Sequence, residues 1–305
     1  MDQVNRASFP GVTRSALALS ALVVAASLSL PGVASAAMGD KDVARMVSFG
    51  GACSKCELSG RKLSGAHFVG ANFGGSSLVG SDLRDARFLG ANFGGADLSR
   101  ADMSDSEMVG ANFSKAILSD ARLRDVEARG VNFGSANLSG VDMRDAQAAG
   151  SNFSRAILTK ANFQSSDMPA ANFVRANAKG ANFRDVSMTG ANLGSGSFDQ
   201  ASFRDADMTA ANLVGATFVG ADFRGAVLIS VNIAGVDLSR AKGLNQEQLD
   251  DACADGSTRL PSGLVPKACH RDVRVRYTSA PIPAPPRAPQ PPQVPAPPRY
   301  LIAQD

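Results

Sequence analysis

Several residue types that carry chemistry or fill a large core are scarce in this chain of 305 residues. It has no Trp, two Tyr and two His, and its formal net charge is +3. With only His67 and His270, the chain has no residue set for a Ser-His-Asp or Cys-His arrangement. The small net charge gives no electrostatic footprint for nucleic acid. A mean hydropathy of −0.04 excludes a polytopic membrane protein.

Proline is almost missing from the middle of the chain. Only Pro169 lies between residues 56 and 241, whereas ten of the 15 Pro fall between residues 281 and 298. Phenylalanine has the opposite distribution, since 14 of the 16 Phe lie between Phe68 and Phe223. The composition therefore indicates a regular middle and a low-complexity end.

The first 36 residues are typical of a secretory signal. Arg6 and Arg14 are basic, residues 15–30 are apolar, and residues 34–36 (Ala-Ser-Ala) offer small side chains for cleavage after Ala36. The apolar run is short for a membrane span of about 20 residues, although an uncleaved anchor is the alternative. We therefore expect an exported protein, periplasmic or secreted, with no transmembrane segment after cleavage.

Export would place the four cysteines in an oxidising compartment. They occur as two local pairs, Cys53 with Cys56 and Cys253 with Cys269. Three connectivities are possible, and we expect pairing within each end. A zinc site would need pairs about 200 residues apart in sequence to converge. A redox dithiol at Cys53 and Cys56 would lack the βαβ context of such motifs.

Residues 271–305 form a separate, Pro-rich segment. Residues 279–298 mix Pro with Ala, Gln, Ile, Val and Arg, so they cannot bury a core and should be extended polyproline II or disordered chain. We interpret the segment as a solvated spacer. A docking peptide or an arm that penetrates the cell wall is the alternative.

From Cys56 to about Ala241 the sequence repeats every five residues, as in residues 71–75 (Ala-Asn-Phe-Gly-Gly). The third residue of each quintet is almost always Phe, Leu or Met, and the first is Ala, Ser or Val. Five is neither the period of an α-helix nor that of a strand. A wall that turns one corner per quintet explains the pattern. The first and third residues then point inwards, and the others face solvent or form the corner.

A second period of twenty indicates that four quintets close one coil. Like residues recur every twentieth position, which predicts a square cross-section and about nine coils stacked at about 4.8 Å. Stacked Asn side chains can add hydrogen bonds in such ladders. The predicted structural ladder comprises Asn72, Phe73, Asn92, Phe93, Asn112, Phe113, Asn132, Phe133, Asn152, Phe153, Asn172 and Phe173.

Quintets such as 71–75 (Ala-Asn-Phe-Gly-Gly) and 96–100 (Ala-Asp-Leu-Ser-Arg) resemble the A(D/N)LXX consensus of the pentapeptide-repeat family. The resemblance covers about 60% of the chain. It implies an all-β fold, a right-handed quadrilateral parallel β-helix, and we expect no cofactor and no metal. Two departures qualify it. Arg61 replaces a small inward residue, so that coil should be irregular, and Ala128, Ala148 and Ala178 leave the interior thin, with a local cavity or an inward lean of the wall.

The open ends of a solenoid expose apolar surface and strand edges, so we expect a cap at each end. Asn245 is a good N-cap, and Gln248 can return the capping-box bond to a helix of two to three turns through Ala252. At the front, Asp42 can cap a short helix that includes Val43, Met46 and Val47. The domains are then a signal (1–36), an N-terminal cap (37–55), the β-helix (56–242), a helical and disulfide cap (243–270) and the tail (271–305).

One column of the repeat carries Arg followed by Asp. Because these carboxylates recur with the coil beside Arg, we interpret them as a surface ion-pair ladder, worth little per pair, rather than as the carboxylate pair of a glycosidase. They form a candidate interaction face, which comprises Arg84, Asp85, Arg124, Asp125, Arg144, Asp145, Arg184, Asp185, Arg204 and Asp205.

The leading hypothesis is a non-catalytic exported scaffold whose flat faces bind an unidentified protein or envelope component. Some members of the family mimic DNA and bind DNA gyrase, which makes such binding the first alternative. It would require a strongly negative rod in the cytoplasm, whereas residues 56–241 carry 18 Lys and Arg against 19 Asp and Glu. A carbohydrate-active β-helix enzyme is the second alternative. We expect no nucleic-acid partner, and the oligomeric state is open.

Overall fold

The computed structural model describes residues 39, 40, 43 and 50–268. The chain divides into two compact units, Met1–Ala34 and Ser35–Asp305, and every described residue belongs to the second. The predicted signal, the Pro-rich tail and Cys269 lie outside the described residues.

The β-structure consists of single-residue parallel bridges. The second residue of a quintet pairs with the residue twenty positions later, from Ala52 paired with Asn72 to Asp222 paired with Lys242; within this range, no bridge joins Thr217 to Asp237. The fourth and fifth residues turn the chain into the next quintet. Twenty residues therefore make one coil of a parallel β-helix, as the second period predicts. The bridges begin at Ala52, a few residues before the expected boundary at Cys56.

Backbone hydrogen bonds between coils hold this arrangement together. The second residue of a quintet donates to the coil before it, and the third and fifth donate to the coil after it. The first residue donates across the corner to the preceding quintet. Only the N–H of the fourth residue is left over, and it needs a side-chain acceptor or water. Around quintet 91–95 the four bonds are Asn92 to Ala71 (2.8 Å), Phe93 to Asn112 (2.7 Å), Gly95 to Ser114 (2.9 Å) and Ala96 to Phe93 (2.9 Å).

The four quintets of each coil form four faces, which we name after typical residues. The Asn face contains residues 71–75, the Leu face residues 76–80, the Arg face residues 81–85 and the Met face residues 86–90. Each face continues at the equivalent residues of every other coil, twenty positions apart.

The interior is lined by the first and third residues of the quintets, which are buried along the repeat. On the Asn face the rings from Phe73 to Phe173 stack with centroids 4.7 to 5.4 Å apart. On the Arg face a second stack runs from Phe163 to Phe223 at 5.1 to 5.2 Å. Rings of the opposite Asn and Arg faces meet edge-on across the interior, as at Phe153 and Phe163, a favoured aromatic geometry.

The interior is adjusted where Ala178 stands in the column of larger side chains on the Leu face. One coil later, the Phe198 ring lies 6.5 Å from the Phe173 ring and 6.1 Å from the Phe183 ring, both on the coil of Ala178. Gly196 makes room for it, because a Cβ there would lie 2.6 Å from the Phe198 ring. The expected thin interior at Ala178 is therefore covered by a neighbouring ring.

Two expectations about the N-terminal coil are wrong. The coil at Arg61 is regular, since Leu63 donates to Asp82 at 2.7 Å as in other coils. The Arg61 guanidinium instead reaches Asp40 at 3.2 Å. The helical turn already includes Asp40, so a start at Asp42 is wrong; Asp42, Met46 and Val47 lie outside the described residues. Val43 is buried in the core, so this turn covers the first coil.

The C-terminal cap contains one helix, Gln246–Asp250, with the expected N-cap at Asn245 and the capping box with Gln248. The helix is shorter than predicted. The Gln248 side-chain amide donates to the carbonyls of Phe223 (2.9 Å) and Ala226 (2.7 Å), so the helix is anchored on the last full coil. The bridges then resume with a longer step, pairing Asn232 with Cys253 and Asp237 with Arg259.

The contact between Gly196 and Phe198 can be tested by unfolding. Gly196→Ala should cost about 1–3 kcal/mol because its methyl group overpacks the core. Phe198→Leu removes the clashing ring edge, so the double variant should be more stable than the sum of the single effects by at least about 0.5 kcal/mol in denaturant titration. Gly256→Ala is the control, since its Cβ would meet no atom within 4 Å. Additive costs would contradict the proposed contact.

Candidate interaction faces

The Asn face carries a continuous ladder of side-chain amides. From Asn92 to Asn172, each Nδ2 donates to the Oδ1 of the Asn one coil earlier, at 2.9 to 3.4 Å. Each Oδ1 also accepts the N–H of the fourth residue of its own quintet, such as Gly74 at 3.1 Å and Gly134 at 3.0 Å. Asn is therefore suited to this column because it supplies both a donor and an acceptor.

Asp in the second position satisfies the same N–H without extending a ladder. The Asp97 carboxylate accepts from the N–H and hydroxyl of Ser99 at 2.9 and 2.5 Å. Such turns closed by Asn or Asp stabilise the corner locally. The hydrogen-bonding need of the fourth residue therefore explains why Asn and Asp recur in the second position.

The Arg face differs from the predicted ion-pair ladder. Asp85, Asp125 and Asp145 form no ion pair in the described part of the chain. They occupy the fifth position with φ of 55° to 59°, a left-handed conformation that Asp tolerates better than most residues. Arg84 and Arg144 instead pair with the second residue of their own quintets, Asp82 and Asp142. The Asp of the Arg-Asp motif is thus foremost a corner residue.

Arg184 partly fits the predicted ion-pair ladder of Arg and the Asp that follows it. Its guanidinium lies 3.4 Å from Asp185 and 3.9 Å from Asp205. Arg204 is half-buried, and its Nε has no hydrogen-bond partner among the described residues. The ten residues of the predicted face therefore lie on one side of the rod, but their contacts change from coil to coil.

The centre of the Arg face is the carboxylate of Asp142. It accepts from Arg144 Nε at 2.8 Å, from Arg144 Nη2 at 2.9 Å and from Arg124 Nε at 2.5 Å. Partial burial raises the pKa of Asp142, but the hydrogen bonds from Arg144 and Arg124 outweigh it and lower the pKa to about 2. This carboxylate remains ionised and immobilised, which is unlike a general acid.

The cysteines staple the ends of the β-helix. A disulfide joins Cys53 to Cys56 across 5.3 Å between Cα atoms, as expected. Cys53 and Cys56 take the third and first positions of consecutive quintets, so the bond fastens the first corner. Cys253 is also disulfide-bonded; its expected partner, Cys269, lies outside the described residues.

Other features of the described surface are shallow or incomplete as sites. A groove of about 620 Å³ lies where the Leu and Arg faces meet near the C-terminal cap, and Arg240 and Lys242 line it beside the Asp222–Arg224 pair. Within residues 39, 40, 43 and 50–268, no group of three His, Cys, Asp or Glu side chains could hold a metal ion. In the same residues no helix has the length and apolar character needed to cross a bilayer.

Comparison with protein families decides what this repeat is. The family described as "Pentapeptide repeats (8 copies)" matches residues 53–88, 66–105, 170–205 and 206–242. The description "Pentapeptide repeat region" matches residues 104–173. Together these matches span more than half of the chain. The chain belongs to the pentapeptide-repeat family.

Solved structures similar to this pentapeptide-repeat protein come from the same family. HetL, involved in heterocyst differentiation regulation in the cyanobacterium Nostoc, is 22% identical over 75% of this chain and 99% of HetL, with a TM-score of 0.45. Full-length QnrB1, a plasmid-mediated fluoroquinolone resistance protein, is 17% identical over 68% of this chain and 94% of its own, with a TM-score of 0.31. A protein of the Arabidopsis thaliana thylakoid lumen is 26% identical over 49% of this chain and 73% of its own, with a TM-score of 0.15. No curated protein matches the sequence of this chain significantly.

Sequence reasoning missed one feature of this pentapeptide-repeat protein, the uneven pairing of its cations. Every ion pair of residues 62–242 involves a cation on the Arg or Met face. The Asn and Leu faces carry cations as well, including Arg155 and Lys179, but none forms an ion pair in that part of the chain. Sorting charges by face with the period of twenty would have exposed this difference.

The Asn ladder can be tested by exchanging an amide for a carboxylate. Asn132→Asp keeps the acceptor for Gly134 but loses the donor to Asn112, so it should destabilise the protein by about 1–2 kcal/mol. Asn137→Asp is the matched control, because Asn137 uses only its Oδ1, towards Ser139. Equal effects on the free energy of unfolding would contradict a stabilising ladder.

The Asp142 network predicts a pH-dependent stability. Asp142→Asn should cost about 1 kcal/mol at pH 7, a modest value because solvent screens the partly exposed pairs. The folded-state pKa is lowered from 3.8 to about 2, so this stabilisation is complete above about pH 4 and is lost as the pH falls through 2. The difference from wild type should shrink over that window in urea titrations. Asp145→Asn, which keeps a residue tolerant of positive φ, should be nearly neutral, and a pH-independent cost of Asp142→Asn would contradict the assignment.

Proposed function

We propose that this pentapeptide-repeat protein is an exported, non-catalytic scaffold that uses the faces of its β-helix to bind another envelope component. The observation that supports this most directly is the ladder of bridges from Ala52 to Lys242, which has a single gap between Thr217 and Asp237. It holds outward side chains in fixed rows, at nearly constant spacing, along four distinguishable faces. A rigid array of this kind can contact a partner at many points with little loss of side-chain freedom.

The nature of the outward groups supports binding rather than turnover. The carboxylates with lowered pKa, such as Asp82, Asp142 and Asp222, are held by neighbouring Arg side chains. They are therefore immobilised anions rather than acids near neutral pH. The two capped ends favour a rod of defined length over end-to-end association.

Binding to a DNA-recognising enzyme is less well supported. DNA mimicry needs a dense, one-signed row of carboxylates. On the Arg face, Asp82, Asp142 and Asp222 each contact an Arg, so carboxylates and guanidinium groups alternate there instead of forming a row of one sign.

Export is tested by fusing a reporter that is active only outside the cytoplasm to the end of the β-helix. Replacing Leu22 and Val24 by Arg should abolish reporter activity because charges interrupt the apolar run of the signal. Arg14→Lys is the control and should keep the activity. Activity that survives the paired Arg substitutions would overturn the signal.

Binding is tested with a photoreactive amino acid placed on one face at a time of the coil formed by residues 151–170. Suitable outward positions are Ser154, Thr159, Gln164 and Pro169, one on each face. A scaffold should cross-link to a reproducible partner from one or two faces, with and without residues 271–305. Uniform labelling from all four faces, or none from any, would contradict the proposal.

A further inference from the structure

A group of cations without partners borders the Leu face, and we call it the Leu-face patch. Lys115, Arg155 and Arg175 end quintets of the Asn face at the corner with the Leu face, and Lys160 and Lys179 lie on the Leu face itself. None of the five side chains forms an ion pair or a hydrogen bond among the described residues. By contrast, the Arg face pairs its cations with Asp82, Asp142 and Asp222. Cations without internal partners are free to meet an anion from outside.

The repeat places these cations in two rows along the edges of one face. Arg155 and Arg175 lie at the corner between the Asn and Leu faces on consecutive coils, and Lys160 and Lys179 lie towards the opposite edge. Adjacent coils are bridged between Ile157 and Asn177, so successive cations follow each other at about 4.8 Å per coil. The rows run parallel to the rod axis.

Acidic residues are displaced from this region. Between residues 151 and 184 the sole acidic residue is Asp167, which lies on the Met face, opposite the Leu face. Asp199 follows Lys179 on the next coil, where its Oδ1 accepts the N–H of Val219 at 2.9 Å, and it marks the end of the stretch poor in acidic residues. Two consecutive coils therefore present four cations with little local compensation.

The Asn side chains of the patch offer donors. Asn137 and Asn177 use their Oδ1 atoms for the N–H groups of Ser139 and Lys179. Because Ile157 separates them, their Nδ2 groups have no acceptor within the described chain, unlike those of the Asn ladder. A surface of amide and cationic donors complements carboxylate or phosphate oxygens.

The shape and the apolar side chains of the Leu-face patch limit which class of anionic molecule could bind there. Ile117 and Ile157, exposed to 39% and 43%, offer apolar contact between the two rows. This is too little for insertion into a bilayer, and every Phe in the β-helix is buried, so bases would find no aromatic platform. A chain with repeated anions, hydroxyl groups and flat C–H surfaces fits the rows better.

We propose that the Leu-face patch binds an acidic polysaccharide that lies along the rod axis, with its carboxylates or phosphates between the two rows of cations. The inference deepens the proposed scaffold function and rests on it, because export would bring the patch to envelope glycans. The occupant is defined by its chemistry as a linear glycan with regularly repeated negative charge.

The test uses the purified full chain and polygalacturonate as the probe, with binding followed by calorimetry at several salt concentrations. The patch variant combines Arg155→Gln, Lys160→Gln, Arg175→Gln and Lys179→Gln; Gln is native in a positive-φ corner at Gln200. The matched control removes the same charge from the other faces through Arg87→Gln, Arg122→Gln, Arg129→Gln and Arg224→Gln. Circular dichroism and unfolding confirm that both variants are folded.

We expect salt-dependent binding to polygalacturonate and none to neutral dextran. The patch variant should lose at least about tenfold in affinity and show a smaller dependence of affinity on salt, whereas the control should stay within about twofold of wild type. Equal losses in both variants would show that net charge alone drives binding and would overturn the proposal. So would absent binding, or equally tight binding of duplex DNA or of anionic phosphatidylglycerol vesicles.

Failure of this inference is distinguishable from failure of the scaffold function. If photo-crosslinking captures a protein partner but polygalacturonate does not bind, the scaffold function stands and the glycan assignment is overturned. If no face cross-links but polygalacturonate binds as expected, the patch is supported and a protein partner is not.

Discussion

Most backbone hydrogen bonds in this β-helix are formed with the coil before or after, and this constraint decides which side chains suit each position of the quintet. The third position faces an interior wide enough for one stacked ring such as Phe93. The second position must provide an acceptor for the N–H of the fourth, which favours Asn and Asp. The fifth position takes a positive φ, as at Asp85 and Gly95. The amino-acid composition, the five-residue repeat and the choice of outward side chains therefore all follow from this backbone hydrogen-bonding pattern.

The sequence was sufficient for the fold because the two periods report on backbone geometry directly. The five-residue period identifies the inward residues, and the twenty-residue period identifies those that stack, which the bridge between Asn92 and Asn112 confirms. The contacts of the Arg face were less predictable. Adjacent Arg and Asp residues suggest pairing within each Arg-Asp motif, but Asp145 occupies a corner with positive φ, and Arg144 pairs with Asp142. Arg124 has Arg122 and not Asp in the second position of its own quintet, and it pairs with Asp142 of the next coil.

At the two ends of the β-helix, contacts between residues close in sequence were also predictable, whereas contacts that depend on packing were not. A capping box at Asn245 and Gln248 was predictable because it depends on residues three apart. The two bonds from Gln248 to Phe223 and Ala226 were not, since they depend on how the helix sits on the last coil. The salt bridge from Arg61 to Asp40 likewise turns an apparent defect of the repeat into an attachment for the N-terminal turn.

The four-quintet coil also limits how the length of this rod can change during evolution. Duplicating twenty residues would lengthen it and leave each face continuous. Duplicating a single quintet would advance every later residue by a quarter of a turn, so that the Asn column would continue above the Leu face. If the extra quintet lay between Asn112 and Asn132, their side-chain amides would no longer form a hydrogen bond. If it lay within the Leu-face patch, the cations of the patch would be divided between two faces. Inherited changes in length should therefore come in whole coils, even though the visible unit of the sequence is five residues.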